Sequence, residues 1–529
     1  MPIKSVFPDI CVPEVNFAEY VLKTIQQYPP TKTALVSAFN EKSYTYQEIA
    51  EIVRKCASFL KRSGLQKGDI VALCSPNIPE FMFVFLATAL CGSTITTCNP
   101  LYTSYEIMQQ FKDSKPVFVF TVPEHAKKVK AVTEQLPTAN EVIVFGDYVG
   151  FRSFKSLISV DDGTYYPNNV KVDVFNDILV LPYSSGTTGN PKGVMLSHYS
   201  FVSSLFIVRI YWKTFLQDVE YLVLPLFHIY GMLRSFSYLE QGSTLVLDER
   251  FDLERMAKAI ETYKVTSCAV VPPMLLAFAK SNIEQTHNLS TMKSMIVGAA
   301  PVSPSLATLV AKKLNCNVDL AWGMTETSGV PVILNKMAWR ISSDASGLVA
   351  PLNSMKVCDL QTGKELGPNE VGELLVKGPE IMLGYYNNPV ATANTLEKDG
   401  FLHTGDIGYY DEFNQFYVKD RAKELIKYKG FQVPPAEIEH VLMDHPEIAD
   451  AAVIGIPDEE AGEVPMAFVV KRIESLSASQ VQSFVKDKLS SFKHLRGVEF
   501  VSSIPKSASG KILRRLLRDN ENLKTKSKL

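Results

Sequence analysis

The stretch that decides the fold runs from residue 178 to residue 193 and reads ILVLPYSSGTTGNPKG. Its first five residues are apolar, which predicts a buried strand over residues 178–182. The next eleven residues contain five hydroxyl-bearing side chains, three glycines and one lysine. A buried strand that opens into such a loop predicts a ligand site at the edge of an α/β sheet.

The loop over residues 183–193 has the composition of a phosphate-binding loop. Glycine-rich backbone amides and hydroxyl groups can surround phosphate oxygens, and a lysine adds positive charge. The alternative is a plain surface turn, which the preceding buried strand disfavours. A Walker A loop reads GxxxxGK[ST], whereas this lysine follows Pro191 and precedes Gly193, so a P-loop ATPase is excluded. The predicted contacts are Ser184, Ser185, Gly186, Thr187, Thr188, Gly189 and Lys192.

Apolar runs alternate with helical patterns over most of the chain. Strands are predicted at 69–74, 117–121, 142–145, 178–182, 221–225, 244–247, 268–271, 295–297 and 317–321, and helices at 253–263 and 304–314. This alternation predicts an α/β fold with parallel sheets. After residue 421 the pattern changes to helices at 436–443, 477–489 and 511–518 and strands at 451–456 and 467–471. We therefore expect a large N-terminal domain over residues 1–421 and a small C-terminal α+β domain over residues 422–529.

Bulk properties exclude several classes of protein. A chain of 529 residues exceeds one hydrophobic core and suggests at least two domains. The 54 basic and 56 acidic residues give a net charge of −2, without the positive excess that nucleic-acid binding requires. The longest apolar helical run, Phe81 to Leu90, is shorter than the roughly 18–20 residues of a bilayer span, so we predict a buried helix. Eight scattered cysteines without a CxxC pattern predict reduced thiols.

Further motifs follow the phosphate loop in a fixed order. They read LFHIYG (226–231), GAAP (298–301), WGMTE (322–326), GYY (384–386), TGD (404–406), VKDR (418–421), IKYKGFQVPPAE (426–437) and PKSASGK (505–511). Together they resemble the motifs of the adenylate-forming enzymes, which include acyl-CoA synthetases, 4-coumarate–CoA ligases and beetle luciferases. The resemblance covers nearly the whole chain. It implies the adenylate-forming fold with a mobile C-terminal domain. It also implies an ATP-dependent, AMP-forming carboxylic acid–CoA ligase that uses Mg²⁺ and coenzyme A.

The resemblance implies a nucleotide site opposite the phosphate loop. Thr325 would contact the α-phosphate and Glu326 would hold Mg²⁺, although a glutamate alone is more often a surface acid. Asp406 would accept hydrogen bonds from the ribose hydroxyls. Arg421 would assist beside the domain hinge, or form a structural salt bridge instead. The adenine slot would consist of Gly298, Ala299, Ala300, Pro301, Trp322 and Gly323.

The resemblance also implies which residues act on the acid. His228 would lie beside the substrate carboxyl group, unless it is a structural histidine. Lys511 would bridge carboxylate and phosphate during adenylation. Lys427 and Gln432 would serve thioester formation after the small domain rotates, although Lys427 could be a solvated strand edge. The acyl pocket would be lined by His228, Ile229, Tyr230, Arg234, Ile296 and Gly298.

Three positions depart from the family pattern. Trp322 stands where a tyrosine is usual, which leaves the adenine slot intact but puts the neighbouring acyl wall in doubt. Ile296 stands where hydroxycinnamate ligases often carry a lysine, and it could not hydrogen-bond a phenol. Arg234 stands where a small residue is expected, and it would either close the pocket or face an acidic substrate.

The sequence leaves several functions open. We expect a medium- or long-chain fatty acid as the substrate. The alternatives are a 4-coumarate-type ligase, a luciferase-type oxygenase, or a binding protein, which the presence of the expected catalytic residues disfavours. The chain ends in Ser527-Lys528-Leu529, a tripeptide that the peroxisomal import receptor reads. We therefore expect a peroxisomal enzyme, although a solvated basic tail is the alternative.

Overall fold

A computed structural model describes residues 1–168, 170–184, 191–300, 302–329, 332–333, 345–421, 424–428, 431–458, 461–489, 491–507 and 510–526. For residues 332–333, 421, 427, 431–432 and 522–526 it describes the backbone alone. The predicted contacts at Ser185, Gly186, Thr187, Thr188, Gly189 and Pro301, and the terminal tripeptide 527–529, lie outside the described residues.

The helices surround the sheets and are mostly shorter than four turns. In chain order they are α1 (Phe17–Ile25), α2 (Tyr46–Arg62), α3 (Pro79–Leu90), α4 (Ser104–Ser114), α5 (Pro123–Thr133), α6 (Phe154–Val160), α7 (His198–Tyr211), α8 (Ile229–Glu240), α9 (Leu253–Tyr263), α10 (Pro272–Lys280), α11 (Pro304–Leu314), α12 (Pro389–Ala393), α13 (Pro435–Met443), α14 (Ala478–Lys486) and α15 (Arg514–Lys526).

The strands are likewise short. In chain order they are β1 (Ile3–Lys4), β2 (Thr33–Ser37), β3 (Ser43–Thr45), β4 (Ile70–Cys74), β5 (Thr94–Cys98), β6 (Phe118–Thr121), β7 (Glu141–Val144), β8 (Arg152–Ser153), β9 (Ile178–Ser184), β10 (Lys192–Ser197), β11 (Val219–Leu222), β12 (Thr244–Leu247), β13 (Ser267–Val270), β14 (Ser294–Val297), β15 (Asn317–Trp322), β16 (Val332–Ile333), β17 (Leu348–Val349), β18 (Ser354–Cys358), β19 (Gly372–Lys377), β20 (Gly384–Tyr385), β21 (Leu402–Tyr410), β22 (Phe416–Arg421), β23 (Ile426–Tyr428), β24 (Phe431–Val433), β25 (Ile448–Asp458), β26 (Gly462–Lys471) and β27 (Gly497–Phe500).

The strands form four sheets. Two of them have the orders β20-β10-β9-β5-β4-β6-β7-β8 and β17-β16-β15-β14-β13-β11-β12-β2-β3. Their central strands are parallel, as the alternation of strand and helix predicted. A third, antiparallel sheet has the order β1-β18-β19-β21-β22. The fourth sheet, β24-β23-β26-β25 with β27 beside β26, contains only strands that follow residue 421.

The structure confirms some predicted elements at their bounds and moves others. The helices at 253–263 and 304–314 and the strand at 244–247 are correct. The strand predicted at 221–225 is instead β11, which ends at Leu222, because the Asn77 side chain takes the backbone hydrogen bonds of Leu224 and Leu226. The helix predicted from residue 511 begins only at Arg514.

The core of the two parallel sheets fixes the helix that follows β11. Helix α3 is buried along almost its whole length, as predicted for an apolar run too short for a membrane. Phe17 of α1 packs edge to face against one phenylalanine each from α3, α7 and α8, with ring centroids 5.0 Å apart for Phe17 and Phe201 and 5.1 Å for Phe17 and Phe236. This cluster holds α8, which carries Tyr230 and Arg234, in a defined position. Among the described helices, none has the length and apolar character that a bilayer crossing requires.

The C-terminal sheet has its own hydrophobic core. Ile438, Val453 and Val469 belong to a core cluster separate from the large one. At the junction, Asp420 of β22 accepts a hydrogen bond at 2.9 Å from the backbone of Ala436 in the first turn of α13. The two parts are therefore joined by a short connection that one carboxylate braces.

Candidate functional site

Three predicted site residues lie near the carboxyl edge of the nine-stranded sheet. His228 follows β11, Gly298 follows β14 directly, and Trp322 is the last residue of β15. Because these strands are parallel, their carboxyl ends meet at one edge, where α/β folds bind ligands. The structure thus brings together residues that are far apart in the sequence.

The phosphate loop connects two antiparallel strands. Strand β9 continues past residue 182 to Ser184, two residues further than predicted, and Lys192 begins β10 directly opposite Ser184. A Walker A loop leads from a strand into a helix, so this strand–loop–strand arrangement agrees with the exclusion of a P-loop. The described ends of the loop place a serine and a lysine opposite each other in the strand register.

Glu326 is held at the mouth of this loop. One of its carboxylate oxygens accepts hydrogen bonds from the Ser184 hydroxyl at 3.0 Å and from the Tyr385 hydroxyl at 2.9 Å. The Lys192 ammonium lies 4.8 Å from the centre of the Tyr385 ring. Thr325, the predicted α-phosphate contact, precedes Glu326 in the same short 3-10 helix. Ser184, Tyr385 and Glu326 therefore form one cluster, and Thr325 adjoins it in the sequence.

The donor set at Glu326 fits a magnesium ion that binds together with a nucleotide. A carboxylate oxygen is a ligand that Mg²⁺ prefers, and Mg²⁺ is usually held by one or two carboxylates plus substrate phosphates. The described residues contain no group of three or more His, Cys, Asp or Glu side chains that could hold a metal alone. Glu326 would therefore share the ion with the phosphates of ATP.

The adenine and ribose sides of the site are linked by a hydrogen bond that the sequence did not predict. The Trp322 indole N–H donates to a carboxylate oxygen of Asp406 at 2.8 Å. Ala299 has a backbone φ of 72°, a left-handed conformation that non-glycine residues rarely adopt. Gly323 directly follows β15, and Arg421, whose side chain lies outside the description, is opposite Asp406 in the register of β21 and β22. The residue that replaces the usual tyrosine thus orients the predicted ribose acceptor.

The loop that carries Lys511 lies against the same edge of the sheet. The Lys511 backbone N–H donates to the Ser507 hydroxyl and its carbonyl accepts from the Ser507 N–H. A Cβ at Gly510 would lie 3.2 Å from Pro273 and 3.4 Å from Val271, at the end of β13. This packing places Gly510, the neighbour of Lys511, at the carboxyl end of β13, and the role of Lys511 in adenylation stays a prediction.

The two residues predicted for the thioester step belong to a separate hairpin. Lys427 in β23 and Gln432 in β24 are directly opposite each other in the antiparallel register. Their side chains are outside the description, so their roles stay predictions. The pairing nevertheless explains why two residues five positions apart can serve one face of the small domain.

His228 stands at the start of α8 and is partly buried. It is the N-cap residue of the helix, and burial lowers the pKa of its imidazole. A neutral ring at the helix N-terminus can hydrogen-bond a carboxylate without a proton change. A Cβ at Gly231, in the first turn, would collide with the carbonyl oxygens of Pro225 and Leu224, so glycine lets the helix approach the end of β11.

The predicted acyl-pocket residues also come together. The Tyr230 hydroxyl donates to the Ile296 carbonyl oxygen at 2.8 Å. The Tyr230 ring would lie 3.1 Å from a Cβ at Gly298, so the glycine permits their contact. Ile229 is the first residue of α8 and is largely buried, and Ile296 is only 1% exposed. Tyr230 therefore packs against the wall that Ile296 and Gly298 form.

Arg234 lies one helical turn beyond Tyr230 and is 1% exposed. Its guanidinium carbon lies 4.3 Å from the ring centre of Tyr238 and 5.5 Å from that of Trp212. Glu220, on β11, is equally buried, and burial raises the pKa of its carboxyl to about 7 against the opposing effect of Arg234. The arginine thus occupies the interior between α8 and the sheet.

Sequence reasoning missed four residues of this site. Tyr385 belongs to the quoted GYY motif, but nothing in the motif showed that its hydroxyl reaches Glu326. Glu220, Trp212 and Tyr238 surround Arg234 and had no role assigned. The available signals were a single carboxylate within an apolar strand and a tyrosine four residues after Arg234, which the helical period places on the same face.

Two family models match the chain. One, described as AMP-binding enzyme, matches residues 22–386, and the other, described as AMP-binding enzyme C-terminal domain, matches residues 437–511.

Curated relatives match over almost the whole length. A 4-coumarate:CoA ligase 1 from Petunia hybrida is 38% identical over 530 residues, which covers 97% of this chain and 96% of the relative. A probable 4-coumarate–CoA ligase 3 from Dictyostelium discoideum is 36% identical, with 98% of each chain covered.

Solved structures share the fold. The ATP-bound MatB from Rhodopseudomonas palustris has a TM-score of 0.86 and 28% identity, covering 95% of this chain and 98% of that one. The o-succinylbenzoate CoA synthetase MenE from Bacillus subtilis, with its acyl-adenylate intermediate, has a TM-score of 0.81 and 27% identity, covering 94% and 98%. These matches confirm the predicted α/β adenylate-forming fold.

Proposed function

Because this chain belongs to the AMP-binding, adenylate-forming enzyme family and is an AMP-forming acid–CoA ligase that uses ATP, Mg²⁺ and coenzyme A, we propose that its acid substrate is a medium- or long-chain fatty acid. A carboxylate oxygen of the acid attacks the α-phosphorus of ATP, and pyrophosphate leaves. The thiol of coenzyme A then attacks the acyl carbon, and AMP leaves. The acid is the part of this reaction that the residues of the acyl pocket must select.

The observation that carries the proposal is the position of Ile296. It is buried, and its carbonyl oxygen already accepts the Tyr230 hydroxyl. An isoleucine side chain has no donor or acceptor, so it cannot satisfy a phenol at this wall. An aliphatic chain needs no such partner and gains from contact with apolar surface.

A 4-hydroxycinnamate substrate is the second candidate. It is favoured by the names of the relatives, which are 4-coumarate–CoA ligases at 36–38% identity. At that identity the reaction is shared, whereas a single pocket residue can change the preferred acid. The two candidates therefore predict different ratios of kcat/KM for aliphatic acids to kcat/KM for 4-hydroxycinnamate.

The test is a panel of acids assayed for CoA- and ATP-dependent AMP release by the purified full-length enzyme. Aliphatic acids should give a higher kcat/KM than 4-hydroxycinnamate. An unpaired phenol in a buried pocket costs about 1–3 kcal/mol, which corresponds to roughly 5- to 150-fold. A clear preference for the hydroxycinnamate would overturn the proposal and support the second candidate.

We also propose that the enzyme is imported into peroxisomes by the receptor that reads Ser527-Lys528-Leu529. A fluorescently tagged chain without these three residues should move from peroxisomes to the cytosol and keep its ligase activity. Unchanged import of the shortened chain would contradict the proposal.

A further inference from the structure

Arg234 is a buried cation whose donors form no well-aligned hydrogen bond in the described part of the protein. None of its three guanidinium nitrogens has one, and the same holds for both carboxylate oxygens of Glu220 and for the Tyr238 hydroxyl. Looser polar contacts remain, since Arg234 opposes the rise in the pKa of Tyr238 and Ser267 opposes the rise in the pKa of Glu220. All three side chains are at most 1% exposed. Six buried polar atoms without well-aligned protein partners therefore share one place between α8 and the sheet.

Burying these polar groups costs free energy unless another group forms hydrogen bonds with them. Arginine stays charged at any relevant pH and carries five N–H donors. Contact with the Tyr238 and Trp212 rings stabilises the charge by cation–π interaction, but it leaves the donors in the plane of the guanidinium unused. Buried donors are almost always paired, so the cluster points to an acceptor that enters it.

The position of the cluster connects it to the acyl pocket. Tyr230, Arg234 and Tyr238 follow one another at four-residue spacing and so lie on one face of α8. The first of them packs on Gly298 and hydrogen-bonds Ile296, while the next two are deeper. His228 and Arg234 are six residues apart, or about 9 Å along the helix axis.

The charges in the cluster favour an anionic acceptor. The pKa of Glu220 is raised to about 7, chiefly by burial, so much of it is protonated at neutral pH. A protonated carboxyl donates a hydrogen bond rather than competing for the arginine. Arg234, the Tyr238 hydroxyl and protonated Glu220 together supply donors, and a planar guanidinium binds a carboxylate in a bidentate manner.

We propose that Arg234 binds a second carboxylate, at the distal end of an aliphatic acid whose reactive carboxylate lies near His228, so that the enzyme prefers α,ω-dicarboxylic acids of medium length. This inference rests on the proposed aliphatic substrate and narrows it. The guanidinium fork fixes the distal group, and the apolar wall at Ile296 contacts the methylene chain.

The experiment compares saturated dicarboxylic acids with monocarboxylic acids of equal carbon number, over a series of chain lengths. For the wild-type enzyme, the dicarboxylic acid should give the higher kcat/KM at one medium length, by roughly 10- to 100-fold. Arg234→Met keeps an unbranched side chain but removes the charge, and it should reverse the preference in favour of the monocarboxylic acid. Arg234→Lys, which keeps a charge but loses the fork, should give an intermediate ratio.

Arg250→Met is the matched control, because Arg250 is exposed and the same substitution there should leave the ratio unchanged. If wild-type enzyme uses monocarboxylic acids and rejects every dicarboxylic acid, the inference is wrong while the proposed aliphatic substrate stands. If it uses only 4-hydroxycinnamate, both are wrong. A ratio that Arg234→Met does not change would also overturn the inference. Even if Arg234→Met fails to fold, the comparison of dicarboxylic with monocarboxylic acids on the wild-type enzyme tests the inference.

Discussion

The nucleotide side and the acyl side of this site differ in how their polar groups are satisfied. On the nucleotide side, Glu326 accepts from Ser184 and Tyr385, and Asp406 accepts from Trp322. On the acyl side, Arg234 and Glu220 are buried without well-aligned hydrogen bonds among the described residues. Glu326 and one oxygen of Asp406 are thus held by protein donors, whereas the Arg234 cluster leaves donors for a group that comes from outside.

This difference separates the shared chemistry from the choice of substrate. The residues predicted to bind ATP lie in recognisable sequence motifs, because phosphate, magnesium and ribose are the same in every member of the family. The residues predicted to surround the acyl chain come from α8 and from strands β11 and β14, and several of them depart from the family pattern. Changes on one side should therefore affect ATP, and changes on the other should affect the acid.

The largest expected effect concerns two lysines of the small domain. Lys511→Ala removes the charge predicted to bridge the carboxylate and the α-phosphate in the adenylation transition state, so acyl-AMP formation should slow by about 10²–10³-fold. The same variant, given synthetic acyl-adenylate and coenzyme A, should form thioester at nearly the wild-type rate. Lys427→Ala should do the opposite and accumulate acyl-AMP.

The two half-reactions can be followed separately, by pyrophosphate release and by thioester formation. Each variant serves as the control for the other, because both replace a lysine of the same domain. If both variants slowed both steps equally, the two lysines would not act in separate domain orientations. The packing of Gly510 on Pro273 would then be a static contact.

The second effect concerns the stability of the acyl side with pH. Because burial raises the pKa of Glu220 from 4.5 to about 7, the folded state holds a proton that the unfolded state releases above pH 4.5. The contribution of this residue to stability is therefore full below pH 4.5 and is lost as the pH rises to about 7. Arg234 opposes the shift, as do Ser267 and Lys293, while Asp218 adds to it.

Glu220→Gln removes this dependence. The difference in unfolding free energy between wild type and variant should fall by something on the order of 2–3 kcal/mol between pH 4.5 and pH 7.5, as measured by denaturant titration. Glu240→Gln is a matched control, since burial also raises the pKa of Glu240 to about 7 beside Tyr20 rather than beside Arg234. It should show a similar pH effect but no change in acid preference. A Glu220 variant whose stability difference is flat with pH would contradict the prediction.

The sequence predicted the fold where the pattern was local. Strand and helix alternation located α9, α11 and β12 at their bounds, and the helix predicted from residue 477 begins at Ala478 with Ser477 as its N-cap. The antiparallel sheet of β18, β19, β21 and β22 was not predicted, because its strands pair across long connections and are interrupted by polar turns. The end of β11 was misplaced because a distant side chain, Asn77, replaces the strand partner.

The site divides in the same way. Glu326, Asp406 and Lys511 could be located from their motifs, whereas their partners could not. Tyr385 and Trp322 reach those residues only through the tertiary fold. The surroundings of Arg234 depend on how α8 packs on β11, which no linear motif records. Arg234 itself was visible as a departure from the family, but whether it closes the pocket or faces a ligand required the three-dimensional arrangement.

The smallest expected effect tests whether the two sides are separable. Trp322→Phe keeps the aromatic plane for adenine but removes the indole N–H that Asp406 accepts at 2.8 Å. Loss of one hydrogen bond to a buried carboxylate costs about 1–2 kcal/mol. KM for ATP should therefore rise roughly 5- to 30-fold, while kcat and the ranking of acids change little.

Trp212→Phe makes the same replacement beside Arg234, and it should alter the ranking of acids while KM for ATP stays the same. The two variants should therefore have opposite effects: Trp322→Phe changes KM for ATP, and Trp212→Phe changes the ranking of acids. One acid panel and one ATP titration measure both. If Trp322→Phe changed the acid preference as strongly as it changed KM for ATP, the wall that carries Trp322 would belong to both halves. β15 would then have to be assigned to the selective acyl side as well as to the organised nucleotide side.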